Sequence, residues 1–484
     1  MNKKNMLSLI GATIVLIIIL LLPTPETLPI VGHRALAVLA FAVILWVTEG
    51  VSYPVSAVMI VSLLAVLIGL SPTIADPSIN YGTSEALSMA VGGFSSTAVL
   101  LVAGALVLAA AMEITGLHRR IALYILAKVG TKPSRLVMGT ILVSFVLALF
   151  VPSATARAGT LVPILLGIVA AFGLAKESKL GALLMITAVQ SISIWNIGIK
   201  TAAAQNMVAL GFIQAEFGVD ITWGEWFLYA APWSIIMSFV LYFVMTRLIK
   251  PDIPDLGEEN SLKKQLNELG KMSSKELRLI IIAVGLLILW STEGILHPFD
   301  STTVMIFAVA IMLTPYFGIF NWNAVQQKVP WGTLIVFATG VSLGTVLLAT
   351  EGASWLSANS FELMGINQMP LVAMVAVLAL FNILIHLGFA SATSLASAFI
   401  PIVIALVGSM EPTTFNAIGL VLVMQFVISF GFLLPVNAPQ SMLAYGTGTF
   451  TVKDFLKSGL PITVIGYILI VIFTATYWQW VGLL

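Results

Sequence analysis

The chain has 484 residues, of which 59% are hydrophobic and 9% charged, and its formal net charge is +1. Soluble domains carry about 25% charged residues, so a water-soluble globular protein is excluded. The near-neutral balance argues against a nucleic-acid partner, and the absence of cysteine removes disulfides and thiolate metal sites.

Apolar runs recur from end to end and are continuous rather than alternating, which predicts an all-α polytopic membrane protein in a lipid bilayer and not a β-barrel. The first run, Met6 to Leu22, follows Lys3 and Lys4. No small-residue cleavage site follows it, so residues 1–32 are expected to hold a retained first span. Further crossings are expected at 33–51, 54–71, 96–115, 180–217 (broken), 228–249, 278–296, 302–318, 331–350, 415–446 (broken) and 459–482, eleven in all. Two segments, 136–173 and 370–409, read as re-entrant hairpins. The polar stretch 251–277 is expected to connect two halves, 33–250 and 278–484, as a solvated linker with a short surface helix at Ser261 to Leu269.

Basic residues in cytoplasmic loops set orientation. With the N-terminus inside, Lys3, Lys4, Arg119, Arg120, Lys128, Lys132, Arg135, Lys176, Lys179, Arg247, Lys250, Lys328, Lys453 and Lys457 fall inside, as do the bases of the connector. Outside loops then hold Arg34 and the acids Asp76, Glu85, Glu216, Asp220, Glu225, Glu351, Glu362 and Glu411. This map puts the C-terminus outside, opens the first hairpin to the cytoplasm and opens the second to the exterior.

The halves share landmarks in one order. Trp46-Val47-Thr48-Glu49-Gly50 matches Trp290-Ser291-Thr292-Glu293-Gly294, and Gly104 and Gly116 match Gly340 and Gly352 in spacing. Ser153-Ala154-Thr155 matches Ser391-Ala392-Thr393, each followed at equal spacing by a Pro-Ile pair. Ala204-Gln205-Asn206 matches Pro439-Gln440-Ser441. Four ordered matches point to an internal duplication. Five crossings separate equivalent points, so the duplicated halves are expected to be inverted, with binding near the midplane.

The triplets interrupt hydrophobic stretches. At a hairpin tip their helix ends would leave N–H groups free for an anion, with Ser and Thr hydroxyls beside them. The plainer alternative is small residues packed between helices. The second pair of interruptions, Thr201 to Asn206 and Leu434 to Ser441, places amides and prolines inside spans, which is costly unless the helix unwinds beside a cavity. Candidate substrate-binding residues are therefore Ser153, Ala154, Thr155, Ser391, Ala392, Thr393, Thr201, Asn206, Asn437 and Pro439.

Arg157, Lys200 and His386 fall near these motifs at membrane depth, where a central Arg or Lys costs about 2.5–3.5 kcal/mol even on the lenient scale. Their convergence on one cavity would suit a substrate with two or more negative charges. Each has a plainer alternative: Arg157 in an ordinary outside loop, Lys200 snorkelling to an interface, His386 as a packed core residue. Glu49 and Glu293, at matching span ends, read as structural helix-end partners. No nucleotide-binding loop, hydrolase elbow or metalloprotease motif is present, and the histidines at 33, 118, 297 and 386 are scattered. No enzyme activity, cofactor or metal site is expected.

Over nearly its whole length the chain resembles the divalent anion/sodium symporter family. Members carry a Ser-Asn-Thr triplet at each hairpin tip, matched here by Ser153-Ala154-Thr155 and Ser391-Ala392-Thr393. Gly93-Phe94-Ser95-Ser96-Thr97 and Gly116-Leu117-His118-Arg119-Arg120 are similar to the family's fourth span and surface helix. An Ala-Arg pair after the first triplet, Ala156-Arg157, makes the chain look closest to bacterial citrate or dicarboxylate exchangers and plant 2-oxoglutarate/malate translocators. The resemblance implies dicarboxylate substrates, a homodimer, scaffold and transport domains in each protomer, and a bacterial plasma membrane. Two departures stand out. Both triplet asparagines are Ala154 and Ala392, and the Thr-Pro-Pro-Asn motifs of sodium-coupled members read Ala203-Ala204-Gln205-Asn206 and Ala438-Pro439-Gln440-Ser441. The expectation is sodium-independent exchange, with fixed basic residues doing the work of bound sodium. A sodium- or proton-coupled symporter is the alternative.

Overall fold

The computed structural model describes residues 3–251, 260–362, 364–410 and 415–484. In chain order the helices are α1 (Lys3–Leu21), α2 (Ile30–Thr48), α3 (Tyr53–Gly69), α4 (Thr83–Val91), α5 (Thr97–Thr115), α6 (Leu117–Val129), α7 (Pro133–Phe150), α8 (Ala154–Ala171), α9 (Lys179–Gly198), α10 (Ala204–Phe217) and α11 (Trp223–Leu248). There follow α12 (Asn260–Glu268), α13 (Ser274–Ser291), α14 (Ser301–Leu313), α15 (Trp322–Gln326), α16 (Trp331–Ala349), α17 (Gly352–Ser357), α18 (Leu371–His386), α19 (Ala392–Gly408), α20 (Ala417–Ile428), α21 (Pro439–Tyr445) and α22 (Val452–Ala475), with a last turn at Tyr477–Trp480. Among the described residues eight helices are long and apolar enough to cross a bilayer, and six apolar helices of 10–17 residues accompany them.

The chain meets the bilayer's demand for internal hydrogen bonding residue by residue. Interior hydroxyls bond back one turn: Thr140 to Leu136 O at 2.8 Å, Ser144 to Thr140 O at 2.9 Å, Thr187 to Leu183 O at 2.6 Å. Capping boxes at Thr222/Glu225, Ser273/Glu276 and Thr451/Asp454 close helix ends where polar loops arrive. Each stretch expected as a crossing or hairpin arm contains helix, with local differences. The expected crossing 302–318 is helical only to Leu313, because Pro315 forces the chain into a tight turn in which Gly318 N bonds Thr314 O at 2.8 Å. The connector differs too. Residues 252–259 lie outside the described residues, as does Glu411, but α12 is not a free solvated segment. It packs on α6, Leu262 is buried, and Arg120 of α6 grips Glu276 at 2.6 Å and Gly270 O at 2.9 Å.

At two pairs of positions matched in the sequence, the backbone adopts the same geometry. Ser153 and Ser391 cap α8 and α19 with φ/ψ of −131/113 and −135/116, and each side chain accepts the N–H three residues on. Ala203 and Ala438, at −147/140 and −147/129, start the helices that follow the two breaks. At the centre α9 is buried from Leu180 to Gly198, packed on α7, α8 and α11, while α20 packs on α10, α18 and α19. A second body, α2, α3 and α4 with α16, lies alongside, and α16 is the surface against which α19 and α10 rest. Gly344 makes that approach possible: a Cβ there would sit 2.3 Å from the Phe212 ring and 2.7 Å from Pro401. Both neighbours are rigid, so Gly344→Ala should destabilise the protein by about 1–3 kcal/mol, read as a lower unfolding midpoint in detergent. An unchanged midpoint would show that α16 does not hold this close approach.

Candidate functional site

The turns before α8 and α19 and the helix breaks meet around one cavity of about 500 Å³, a volume within the range of roughly 300–1,000 Å³ seen for small-molecule sites. Ser153, Ala154, Thr155, Ser391, Ala392 and Thr393 line it, with Thr201, Asn437 and Pro439 from the breaks and His386 from the arm before the second tip. The first turns of α8, α10 and α19 therefore border the space, and helix N-termini favour negative charge. The cavity extends past Glu49 and Tyr53 to a mouth where Lys328 meets Glu113 at 2.5 Å.

Arg157 is fully buried and lies behind this surface. One Nη donates to the Oδ1 of Asn196, which lines the cavity, and to Ala202 O at 2.8 Å. Its Nε and other Nη have no partner. From the opposite hairpin, His386 Nε2 donates to Asn437 O at 3.2 Å, while its Nδ1 has no partner. Ala202 and Asn437 are equivalent positions, each one residue before the extended Ala203 or Ala438. Each half therefore presents the same break carbonyl to a nitrogen base from its hairpin. The bases come from different places, Arg157 from the arm after the tip and His386 from the arm before it. A buried N–H without a partner carries a penalty of roughly 1–3 kcal/mol, so the two orphan donors of Arg157 call for an explanation, whereas the Nδ1 of a neutral His386 is an unfilled acceptor.

Two expected members of the site sit elsewhere. Asn206 is buried behind the lining, where its Nδ2 bonds Asn196 O, Ile199 O and Lys200 O at 2.8, 3.2 and 3.3 Å. It staples the unwound backbone of the first break, a position set by the free carbonyls that the break leaves. Lys200 also leaves the cavity. The short turn Lys200–Ala202 sends Thr201 to the lining and Lys200 to the opposite side, where Nζ donates to Ile221 O at 2.6 Å. Convergence of three bases on the lining is thus corrected: His386 lies on it, Arg157 directly behind it and Lys200 away from it. Of the matched acids, Glu293 accepts from Ser301 N and Oγ at the start of α14, as a helix-end partner should. Glu49 instead lies on the cavity, in left-handed conformation with φ 48°.

Gln205 and Gln440 stand in the matched break motifs, but their partners, and Gln190 and Gln425, were not singled out from the sequence. Gln205 Nε2 donates to Ser429 at 3.2 Å, and its equivalent Gln440 donates to Ser193 at 3.0 Å, so the two breaks are cross-linked reciprocally at the cavity floor. Deeper, Gln190 on α9 donates to Phe432 O at 3.0 Å and Gln425 on α20 donates to Asn206 Oδ1 at 3.2 Å. Their signal was available: four glutamines in otherwise apolar spans, two on each side of the duplication. Removal of Asn206 should unmoor three carbonyls together. Asn206→Leu is expected to lower stability by about 1–3 kcal/mol or more, measured by thermal unfolding; a neutral result would remove its stapling role.

The model for the transmembrane region of sodium:sulfate symporters matches residues 3–484. A membrane protein of Cupriavidus necator is 48% identical, over 98% of this chain and 92% of its own. The citrate/succinate antiporter of Escherichia coli K12 is 27% identical over 94% of each chain, and the sodium-dependent dicarboxylate transporter SdcS of Staphylococcus saprophyticus is 25% identical over 97% of this chain and 91% of its own. The YdaH transporter of Alcanivorax borkumensis shares the fold at a TM-score of 0.53 and 16% identity, over 89% of this chain and 98% of its own. The helical fold, the paired triplets around one cavity and a match across the described chain together establish that this protein is a membrane transporter, not an enzyme, and belongs to the divalent anion/sodium symporter family.

Proposed function

We propose that this chain exchanges dicarboxylates of the malate, succinate, fumarate and 2-oxoglutarate class across a bacterial plasma membrane, independently of sodium. The observation that carries the proposal is the pair of equivalent carbonyls, Ala202 O and Asn437 O, held by Arg157 and His386. Arg157 keeps its charge at any physiological pH, and its unpartnered donors lie beside the residues that line the cavity. A dianion between the tips would then be balanced by a built-in charge and by the first turns of the bordering helices. The similarity to the citrate/succinate antiporter supports the substrate class.

In this reading the halves 33–250 and 278–484 are inverted repeats of an eleven-span protein. The segments 136–173 and 370–409 are its re-entrant hairpins, opening to the cytoplasm and the exterior respectively. The protein works as a homodimer, each protomer carrying its hairpins and broken helices as a transport domain past a scaffold. A released sodium ion would leave an empty transport domain near neutral, but Arg157 cannot be released. Its return unpaired across a low-dielectric barrier would cost several kcal/mol. Return therefore requires another dianion, which makes exchange obligatory. The second reading, sodium- or proton-coupled symport, is favoured by the similarity to SdcS.

Reconstituted into sodium-free liposomes, the protein should take up labelled dicarboxylate only when the vesicles contain dicarboxylate. Sodium-driven uptake into empty vesicles would refute the exchange reading. Arg157→Met should reduce exchange by about 30-fold or more, the effect of truncating one member of a desolvated charge pair, while the protein remains monodisperse. Full exchange by that variant would take Arg157 out of the mechanism.

A further inference from the structure

Lys200 is a buried base that the cavity does not use. It belongs to the turn between α9 and α10, which packs with α7 and α11. Its partners come from both sides of a seam. Ile221 O, at 2.6 Å, lies in the loop before α11, whereas Ser301 Oγ, at 3.5 Å, opens α14. Ser301 Oγ in turn donates to Glu293 Oε2 at 2.6 Å, and Trp290 Nε1 donates to Ser301 O at 3.1 Å. The acids around Lys200 are Glu293, Asp220, Glu225 and Asp300. Close by, Thr97 of α5 donates to Gln214 of α10 at 2.6 Å, and Gln214 donates to Asp220 at 3.3 Å. α14 packs chiefly on α5, so both contacts join the α5–α14 body to the body that carries the broken helix. The seam closes the end of α5 that begins at Thr97; the cavity mouth, with Glu113 and Lys328, lies at its other end.

We propose that Lys200, through Ser301 to Glu293, is a latch that holds the cavity open at the Glu113–Lys328 face by keeping the opposite face shut. The inference rests on the reading above that a transport domain moves past a scaffold and so opens the cavity to each face in turn, but not on exchange or on sodium independence. In the opposite arrangement the two bodies separate at this seam, and Lys200 passes from acid-lined burial into water. Two opposed terms set its sign: hydration favours release, while the relayed carboxylate and three further acids favour closure. The latch requires that the acids win. A ligand-free equilibrium between two faces responds to any contact made in only one of them.

The natural chain has no cysteine, so Ala109→Cys, on the cavity wall, gives a single reporter thiol. Its reaction with a membrane-impermeant maleimide in purified, substrate-free protein reads opening at the Glu113–Lys328 face. Adding Lys200→Met should slow labelling about fivefold or more, the lower end of ordinary coupling between sites. Ser301→Ala, a milder change that removes only the relay hydroxyl, should slow it in the same direction, and Lys200→Arg should restore it. Combining Glu293→Gln with Lys200→Met should add little to either change alone. Unchanged or faster labelling in Lys200→Met and Ser301→Ala would overturn the latch. Sodium-driven uptake in liposomes would leave these labelling predictions intact, so failure of the latch and failure of the exchange reading can be told apart.

Discussion

Two carbonyl oxygens in the middle of two broken helices constrain the rest of this molecule. A helix interrupted at membrane depth leaves acceptors that hydrocarbon cannot satisfy. Here the chain satisfies Ala202 O with a guanidinium and Asn437 O with an imidazole, and both bases come from hairpins whose tips border the same cavity. The hydrogen bonds that repair the first break thereby place one positive charge, that of Arg157, and its spare donors behind the cavity lining. The side chains that meet this structural need are also the ones that stand closest to the cavity.

Matching backbone geometry recurs at the two breaks, and the differences between them are informative. Backbone geometry at the caps Ser153 and Ser391 and at the extended Ala203 and Ala438 is nearly superimposable in φ and ψ. Gln205 and Gln440 repeat as well, each donating to a serine of the other half. The bases do not repeat: Arg157 follows its triplet and His386 precedes the other. What the two halves hold in common is a carbonyl at one position, and side chains of different length reach it from different arms. This favours a constraint on charge and hydrogen bonding over a constraint on residue identity.

Much of this was legible in the sequence because the bilayer leaves few options. Continuous apolar runs placed the helices, and paired Ser-Ala-Thr interruptions marked the residues that face one another across the cavity. What escaped was direction. Lys200 and Thr201 are neighbours in a single turn, yet one leaves the cavity and the other lines it, and no periodicity operates over three residues of irregular backbone. Asn206 looked like a ligand because amides are rare in spans, but free carbonyls of its own break claim it first. Glu49 and Glu293 occupy matching positions in sequence and diverge in setting: Glu293 accepts from the start of α14, whereas Glu49, four residues before α3, lines the cavity. The glutamines escaped because each partner lies more than two hundred residues away.

If Arg157 and the helix first turns around the cavity, rather than a bound sodium ion, balance the passenger, sodium should leave its affinity unchanged. Calorimetric titration of the purified transporter with a dicarboxylate, first in choline and then in sodium at equal ionic strength, tests it most directly. The expected result is one dissociation constant in both solutions. Binding that appears or tightens markedly only when sodium is present would contradict it.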